Sequence, residues 1–302
     1  MKKKSIFIIL VIVIISSTAI IYFMNQTDSK TSEPFMKSEE AEKESQLEEQ
    51  IEFEEEEETN EAESEETEQR TFPQIIAETV QSTVDFFTNQ ETHIVAIGDS
   101  LTQGVGDETE QNGYVGILDR TINGNKQIAQ IDNFGKRGNR TDHLLMRLED
   151  EEIASSIKDA DIVLITIGAN DIMQVAKENF TNLVMEDFVF ELDNYEKRLR
   201  EIFEEIRRLN PDTKIYLLGF YNPFKQYFQD IKELDLIVET WNTTGNNVVS
   251  DYENTTFIPT EDLFTDTDTD PETTLFADDN FHPNYEGYYR IAKRVLEYIT
   301  IR

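Results

Sequence analysis

The 302-residue chain carries 62 acidic against 27 basic side chains, three histidines and no cysteine, for a formal net charge of -35. Charge of that sign repels a phosphate backbone, which excludes a sequence-independent nucleic-acid binder. The lack of cysteine excludes disulfide scaffolds, thiolate zinc sites, thiol catalysis and lipid attachment through cysteine.

The charge is divided among three segments. Residues 1–27 hold Lys2, Lys3 and Lys4 and no acid, and from Ile6 to Met24 the chain is apolar or small, interrupted only by Ser16, Ser17 and Thr18. As a helix this run spans roughly 28 Å, close to the hydrocarbon thickness of a bilayer. It exceeds the apolar core of a cleaved signal peptide, about 7–15 residues, and no A-x-A-like cleavage site follows. The segment is therefore read as a transmembrane anchor, with secretion after cleavage as the alternative. Lysines before the span place the N-terminus in the cytoplasm and the bulk of the chain outside, a single-pass protein of the cell membrane. Residues 28–71 carry a charge of -15, include Glu54 to Glu58 in a row and hold few apolar side chains, so they are expected to be a disordered acidic stalk. Fully extended, it reaches on the order of 150 Å.

From Phe72 to the last residue the pattern changes, although this part still carries -23. Ile75, Ile76, Val80, Val84 and Phe87 recur at helical spacing. Strand-like apolar runs follow at His93–Ile97, Ile128–Phe134, Ile162–Ile167, Lys214–Gly219 and Thr256–Ile258, separated by helical patterns over Tyr114–Ile122, Asp142–Leu148, Asp187–Leu209, Ile231–Val249 and Asn284–Ile299. Strands alternating with helices predict one α/β domain whose five-stranded parallel sheet is covered on both faces. Ligands of such sheets bind beyond the carboxyl ends of the strands, so the polar residues just after each run are the candidates for chemistry.

They form a set. The first strand runs into Gly98-Asp99-Ser100-Leu101, the second into Asn133 through Gly138, the third into Gly168-Ala169-Asn170-Asp171, and Asp279-Asn280-Phe281-His282-Pro283 precedes the last helix. A serine hydroxyl becomes a nucleophile when a base takes its proton, and an imidazole base needs a carboxylate to fix its tautomer. Asp279, three residues before His282, can share a turn with it. A tetrahedral intermediate also needs fixed donors, which the Ser100 and Gly138 backbone N–H groups and the Asn170 amide can supply. The other histidines, His93 at a strand start and His143 beside Asp142, lack a comparable setting and are read as structural or solvated.

These blocks resemble those of the GDSL, or SGNH, hydrolase superfamily, over about Thr92 to Ile301. The resemblance implies a three-layer α/β/α sandwich of flavodoxin-like topology. It implies Ser100 as nucleophile, His282 as base, Asp279 as its orienter, and Ser100, Gly138 and Asn170 as oxyanion donors, with Gly135 a competitor for the place of Gly138. No metal or organic cofactor is required. Thr102 stands where the α/β-hydrolase elbow G-x-S-x-G has its second glycine, which disfavours that class. Asn139-Arg140 departs from the familiar pattern: Arg140 either selects an anionic substrate or pairs with a surface acid, and the pairing is the simpler reading.

The Asp266 to Asp270 run lacks the glycine and terminal glutamate of an EF-hand, so no such metal site is expected. Phe220, Tyr221, Phe224, Tyr227 and Phe228 either line the site or pack their own loop. The expected function is a membrane-tethered extracytoplasmic serine ester hydrolase with a monomeric catalytic domain, acting on a small-molecule or lipid ester. A wall-glycan O-acyl esterase and a non-catalytic surface binding module with the same shell are the alternatives.

Overall fold

A computed structural model describes residues 87, 92–124, 126–179, 184–222, 232–264 and 274–300. The anchor, the stalk, the helix read over Ile75–Phe87 apart from Phe87 itself, and the Asp266–Asp270 run lie outside the described residues. Among the described residues no helix is long and apolar enough to cross a membrane.

Five parallel strands form one sheet: β1 (Thr92–Gly98), β2 (Ala129–Gly135), β3 (Ile162–Thr166), β4 (Lys214–Leu218) and β5 (Thr255–Ile258), in the spatial order β2-β1-β3-β4-β5. The helices are α1 (Ser100–Gln103), α2 (Gly113–Asn123), α3 (Thr141–Arg147), α4 (Glu151–Lys158), α5 (Ala169–Glu178), α6 (Met185–Leu209), α7 (Lys232–Ser250) and α8 (Tyr285–Thr300).

Alternation along the central strands explains the three layers. Side chains two apart share a face, and Ile94, Ala96, Ile162, Leu164, Tyr216 and Leu218 pack with Tyr114, Leu118, Ile122, Tyr288, Ile291 and Val295 of α2 and α8. The intervening Val95, Ile97, Val163, Ile165, Ile215 and Leu217 pack on the opposite face with side chains of α3 to α7, including Leu144, Ile157, Leu199, Phe203 and Trp241. Both faces of the sheet are thus buried, as an all-parallel sheet requires.

Three helices fall where no helical pattern was legible. In α4 only Ile153 and Ile157 are buried, a repeat too short to read, and α5 buries an aspartate, Asp171, beside Val175. The four-residue α1 is set by local capping.

The chain leaves β1 to build β2 on one side and returns to build β3 on the other, which makes the carboxyl ends of β1 and β3 the topological switch point. The strand ends are level: Gly98 pairs with both Gly135 and Thr166, and Thr166 with Leu218. Gly98 is required there, because a Cβ at this position would lie 2.1 Å from the Thr166 carbonyl oxygen.

Candidate active site

Ser100 follows β1 by two residues and opens α1. The Asp99 side chain caps that turn by accepting the Leu101 N–H at 3.0 Å, and Gly104, at φ 83°, ends it. Both Asp99 and Ser100 are buried. Burial raises the Asp99 pKa to about 6, against the opposing hydrogen bonds from Thr166 and Leu101. The Thr166 hydroxyl donates to Asp99 Oδ1 at 2.8 Å, and Thr102 Oγ1 lies 2.7 Å from Thr166 Oγ1 and 3.0 Å from Tyr114 Oη. Since each hydroxyl has one proton, an ionised Asp99 orders the chain: Tyr114 donates to Thr102, Thr102 to Thr166, Thr166 to Asp99.

Asp279 and His282 share a turn closed by an antiparallel bridge between Phe276 and Pro283, with Asn280 at φ 52°. Asp279 Oδ1 accepts the backbone N–H groups of Phe281 and His282 at 3.0 and 2.9 Å, leaving Oδ2 to face His282 Nδ1 at 2.5 Å. Burial acts to raise the Asp279 pKa, but the bonds from the His282 ring and these backbone donors prevail and lower it to about 2. The other ring nitrogen, His282 Nε2, lies 3.0 Å from Ser100 Oγ. Tyr221 secures the turn by donating its hydroxyl to the Phe281 carbonyl at 2.8 Å. A hydroxyl, an imidazole and a carboxylate in this series can remove the serine proton while holding the positive ring.

Two further loops reach the same sheet edge. After β2, Lys136 N–H donates to the Gly98 carbonyl at 3.0 Å and Arg137 N–H to Gln103 Oε1 at 2.6 Å, which seats the loop on the strand end and helix that carry Ser100. Within it Gly138 has φ +79°, and its Cβ direction meets nothing within 4 Å, whereas a Cβ at Gly135 would lie 2.1 Å from Gln103 N. Gly135 is thus a packing glycine and Gly138 borders open space. After β3, Asn170 Nδ2 donates to the Asn139 carbonyl at 2.9 Å, and no other described acceptor takes its second N–H.

The sequence reading missed the brace behind these loops. Asp171, with no exposed surface, accepts the Thr141 hydroxyl at 2.5 Å and backbone N–H at 3.1 Å. Arg198 of α6 donates to Asp171 Oδ1 at 3.1 Å and to Thr141 Oγ1 at 2.6 Å, and also pairs with Glu191. Burial raises the Asp171 pKa; the Thr141 bonds and the Arg198 charge oppose it. Arg147 spans the other loop, donating to the Phe134 carbonyl at 2.8 Å and to Asn139 Oδ1 at 3.0 Å. Asp171 belongs to the Gly168-Ala169-Asn170-Asp171 turn after β3, but Arg198 and Arg147 carry no local signal.

His93 departs from its expected setting, since β2 supplies it with a carboxylate. Its Nε2 lies 2.9 Å from Asp132 Oδ2 and 3.4 Å from Ser156 Oγ, while Ser156 donates to the same Asp132 oxygen at 2.6 Å. One ring nitrogen faces both partners, so the imidazole does not stand between serine and aspartate, and the cluster is a structural brace far from Ser100. His143 lies on α3 near Asp142, as the sequence suggested. Arg140 donates to Asp142 at 2.8 Å, the surface-acid reading. Phe220 and Tyr221 are buried, Tyr221 stacking on Phe264 at 4.0 Å, so these two pack rather than line a site; Phe224, Tyr227 and Phe228 lie outside the described residues. Among the described residues no group of three or more metal-ligating acids or histidines occurs.

A parallel sheet of this order, with a Ser/His/Asp series at its switch point, defines an α/β hydrolytic class. The chain belongs to the GDSL-like lipase/acylhydrolase family, whose model matches residues 96–290, and it is a carboxylic ester hydrolase of that family. Among curated proteins it is 38% identical over 216 residues to YpmR of Bacillus subtilis, covering 70% of this chain and 84% of that one. It is 26% identical over 206 residues to the spore germination lipase LipC of Bacillus licheniformis, covering 66% and 92%. Among solved structures, the lipase Lip_vut3 from a goat rumen metagenome superposes with a TM-score of 0.59 at 25% identity, covering 68% of this chain and 95% of that one.

Proposed function

We propose that this ester hydrolase works through a covalent acyl-enzyme on Ser100 and acts outside the cell, tethered by its N-terminal apolar segment. The observation that carries the mechanism is the Ser100 Oγ to His282 Nε2 distance of 3.0 Å, with Asp279 on the far nitrogen of the same ring. Ser100 attacks the ester carbonyl as His282 takes its proton. The carbonyl oxygen, now negative, is held by the Ser100 and Gly138 backbone N–H groups and by the Asn170 amide. His282 then protonates the leaving alcohol, and water, activated by the same base, releases the acid and restores Ser100. Asp279, with a pKa near 2, stays ionised throughout and steadies the imidazolium.

The tether is supported by the apolar run from Ile6 to Met24 behind three lysines and by the charge of the segment that follows. A fluorophosphonate probe and short p-nitrophenyl esters test the mechanism: the full chain labels and hydrolyses, and Ser100→Ala does neither. Full activity in Ser100→Ala overturns the assignment. Fractionation of cells tests the tether, since the protein should sediment with membranes and its catalytic domain should be cut by protease added to intact cells with the wall removed.

A further inference from the structure

We propose that the cavity bordering Gly138 is a subsite for an anionic group carried by the ester, a phosphate or a carboxylate. The proposal rests on the hydrolase reading above for its place in catalysis, and on the following observations for its chemistry.

Positive charge is scarce in the -23 part of the chain, yet Lys136, Arg137, Arg140 and Arg147 fall within twelve residues whose only acid is Asp142. Arg140 is neutralised by that acid. The other three form no ion pair among the described residues. Arg147 donates only to the neutral oxygens of Phe134 and Asn139, and Lys136 and Arg137 are exposed. All three line one cavity of about 600 Å³, together with Gly138, His143 and the 61%-exposed Met146. Two acids complete its wall, Glu149 and Asp150; Asp150 caps α4 through the Glu152 N–H at 3.0 Å and its charge acts on Arg147, so the free positive charge of the cavity rests with Lys136 and Arg137.

A cavity of nearly the same volume, about 610 Å³, lies near His93 and is lined by Asp132, Glu152 and Asp159 with no lysine or arginine. Of these two openings only the one beside Gly138 carries cations, and at a third, of about 360 Å³, Lys158 and Lys214 are outnumbered by Asp159, Asp161 and Asp212. The first opening borders the proposed reacting centre at Gly138, which lines it and is one of the oxyanion donors assigned above, and the loop bearing Lys136 and Arg137 is bonded through its backbone to Gly98 and Gln103 on either side of Ser100. Guanidinium and ammonium groups lacking carboxylate partners recognise phosphate or carboxylate oxygens, the guanidinium through paired N–H donors. Without such a local reversal of sign, the acidic surface would repel an anionic ester.

Binding and turnover test the subsite separately. Calorimetry on full-length Ser100→Ala in detergent should show glycerol 3-phosphate or succinate binding at least about tenfold more tightly than glycerol, and a Lys136→Gln/Arg137→Gln double variant should erase that difference. The phosphate and the dicarboxylate arms tell which anion is preferred. In the active protein, the ratio of kcat/KM for butyryl glycerol phosphate, or for a hemisuccinate ester, to that for butyryl glycerol should fall about tenfold or more in the same double variant. If neither anion binds better than glycerol, or the double variant leaves binding and the ratio unchanged, the subsite is overturned. If the anion binds through Lys136 and Arg137 but no ester is cleaved, the subsite stands and the hydrolase reading fails.

Discussion

Thr141 gives both its hydroxyl and its backbone N–H to the carboxylate of Asp171, thirty residues further along the chain, and the pair is sealed by Arg198 from α6. The link ties the first residue of α3, where the loop after β2 ends, to the first turn of α5, which bears Asn170. The two helix starts behind the sheet edge thereby keep a fixed spacing. Removing Arg198 leaves Asp171 buried and unpaired, and a broken buried pair costs about 3–5 kcal/mol. Because the Arg198 side chain is partly exposed, at 22%, the lower part of that range applies. Arg198→Ala should therefore lower chemical stability by about 3 kcal/mol, read as a shift in urea midpoint at constant slope. Asp171→Asn, which keeps the shape but loses the charge, should lower kcat more than it raises KM. Equal loss of stability with kcat unchanged would show the link to be structural only.

Much of this site was legible in the sequence, and the limit is physical. The strands end in glycine or a polar turn, Ser100 and Asn170 follow the ends of β1 and β3 within a few residues, and His282 stands just before the last helix, so local pattern and topology predicted where they meet. Ser100 and His282 are 182 positions apart yet 3.0 Å in space. What sequence could not supply was contact between elements with no shared motif. Arg198 lies in the middle of a 25-residue helix whose charged residues look alike, and the carboxylate facing His93 comes from the neighbouring strand through register alone. The short α1 depends on the Asp99 cap, which is chemistry of one side chain and leaves no periodicity to read.

Asp99 and Asp279 make opposite contributions to stability against pH. The native pKa of Asp99 is about 6 against an ordinary 3.8, so the folded chain holds this proton more tightly than the unfolded one. Stability due to Asp99 is therefore highest below pH 4 and falls as pH rises to about 6, by about 3 kcal/mol in total, and is flat above. Asp279 has a native pKa of about 2, so its contribution is present above pH 4 and is lost as pH falls through 2. Asp99→Asn should retain the cap and raise stability at pH 8 by up to about 3 kcal/mol while changing little at pH 4. Urea titrations at the two pH values measure it, and an equal change at both would refute the assigned pKa.

Asp279→Asn separates orientation from charge at the proposed base. An asparagine can still accept the Phe281 and His282 N–H groups that shape the turn, so the fold is kept. It places a neutral amide against His282 Nδ1, however, and favours the tautomer that cannot accept the serine proton. A fall in kcat of about 10⁴ is expected, with fluorophosphonate labelling slowed to match. Asn170→Ala should cost less, about 10² to 10³, since it removes one donor of three. A variant at either position that retains more than a third of wild-type kcat would remove that residue from the mechanism.

Gly98 and Gly138 both have positive φ, yet substitution should affect them differently. At Gly98 an added Cβ would lie 2.1 Å from the Thr166 carbonyl oxygen and 2.9 Å from its nitrogen, and backbone cannot swing aside as a side chain can. The strand ends must separate, which strains the 3.1 Å bond from Asp99 N–H to that same carbonyl, one residue before Ser100. Overpacking of this kind costs about 3 kcal/mol or more, or roughly 6–12 °C in melting temperature for a domain of this size. Gly98→Ala should therefore both melt early and lose activity in the fraction that folds. At Gly138 the added methyl meets nothing within 4 Å, so only its φ of +79° is penalised, by about 1–2 kcal/mol. Thermal melts of the two alanine variants should rank Gly98→Ala well below Gly138→Ala; the reverse order would mean that the loop after β2, and not the contact between β1 and β3, holds the sheet edge together.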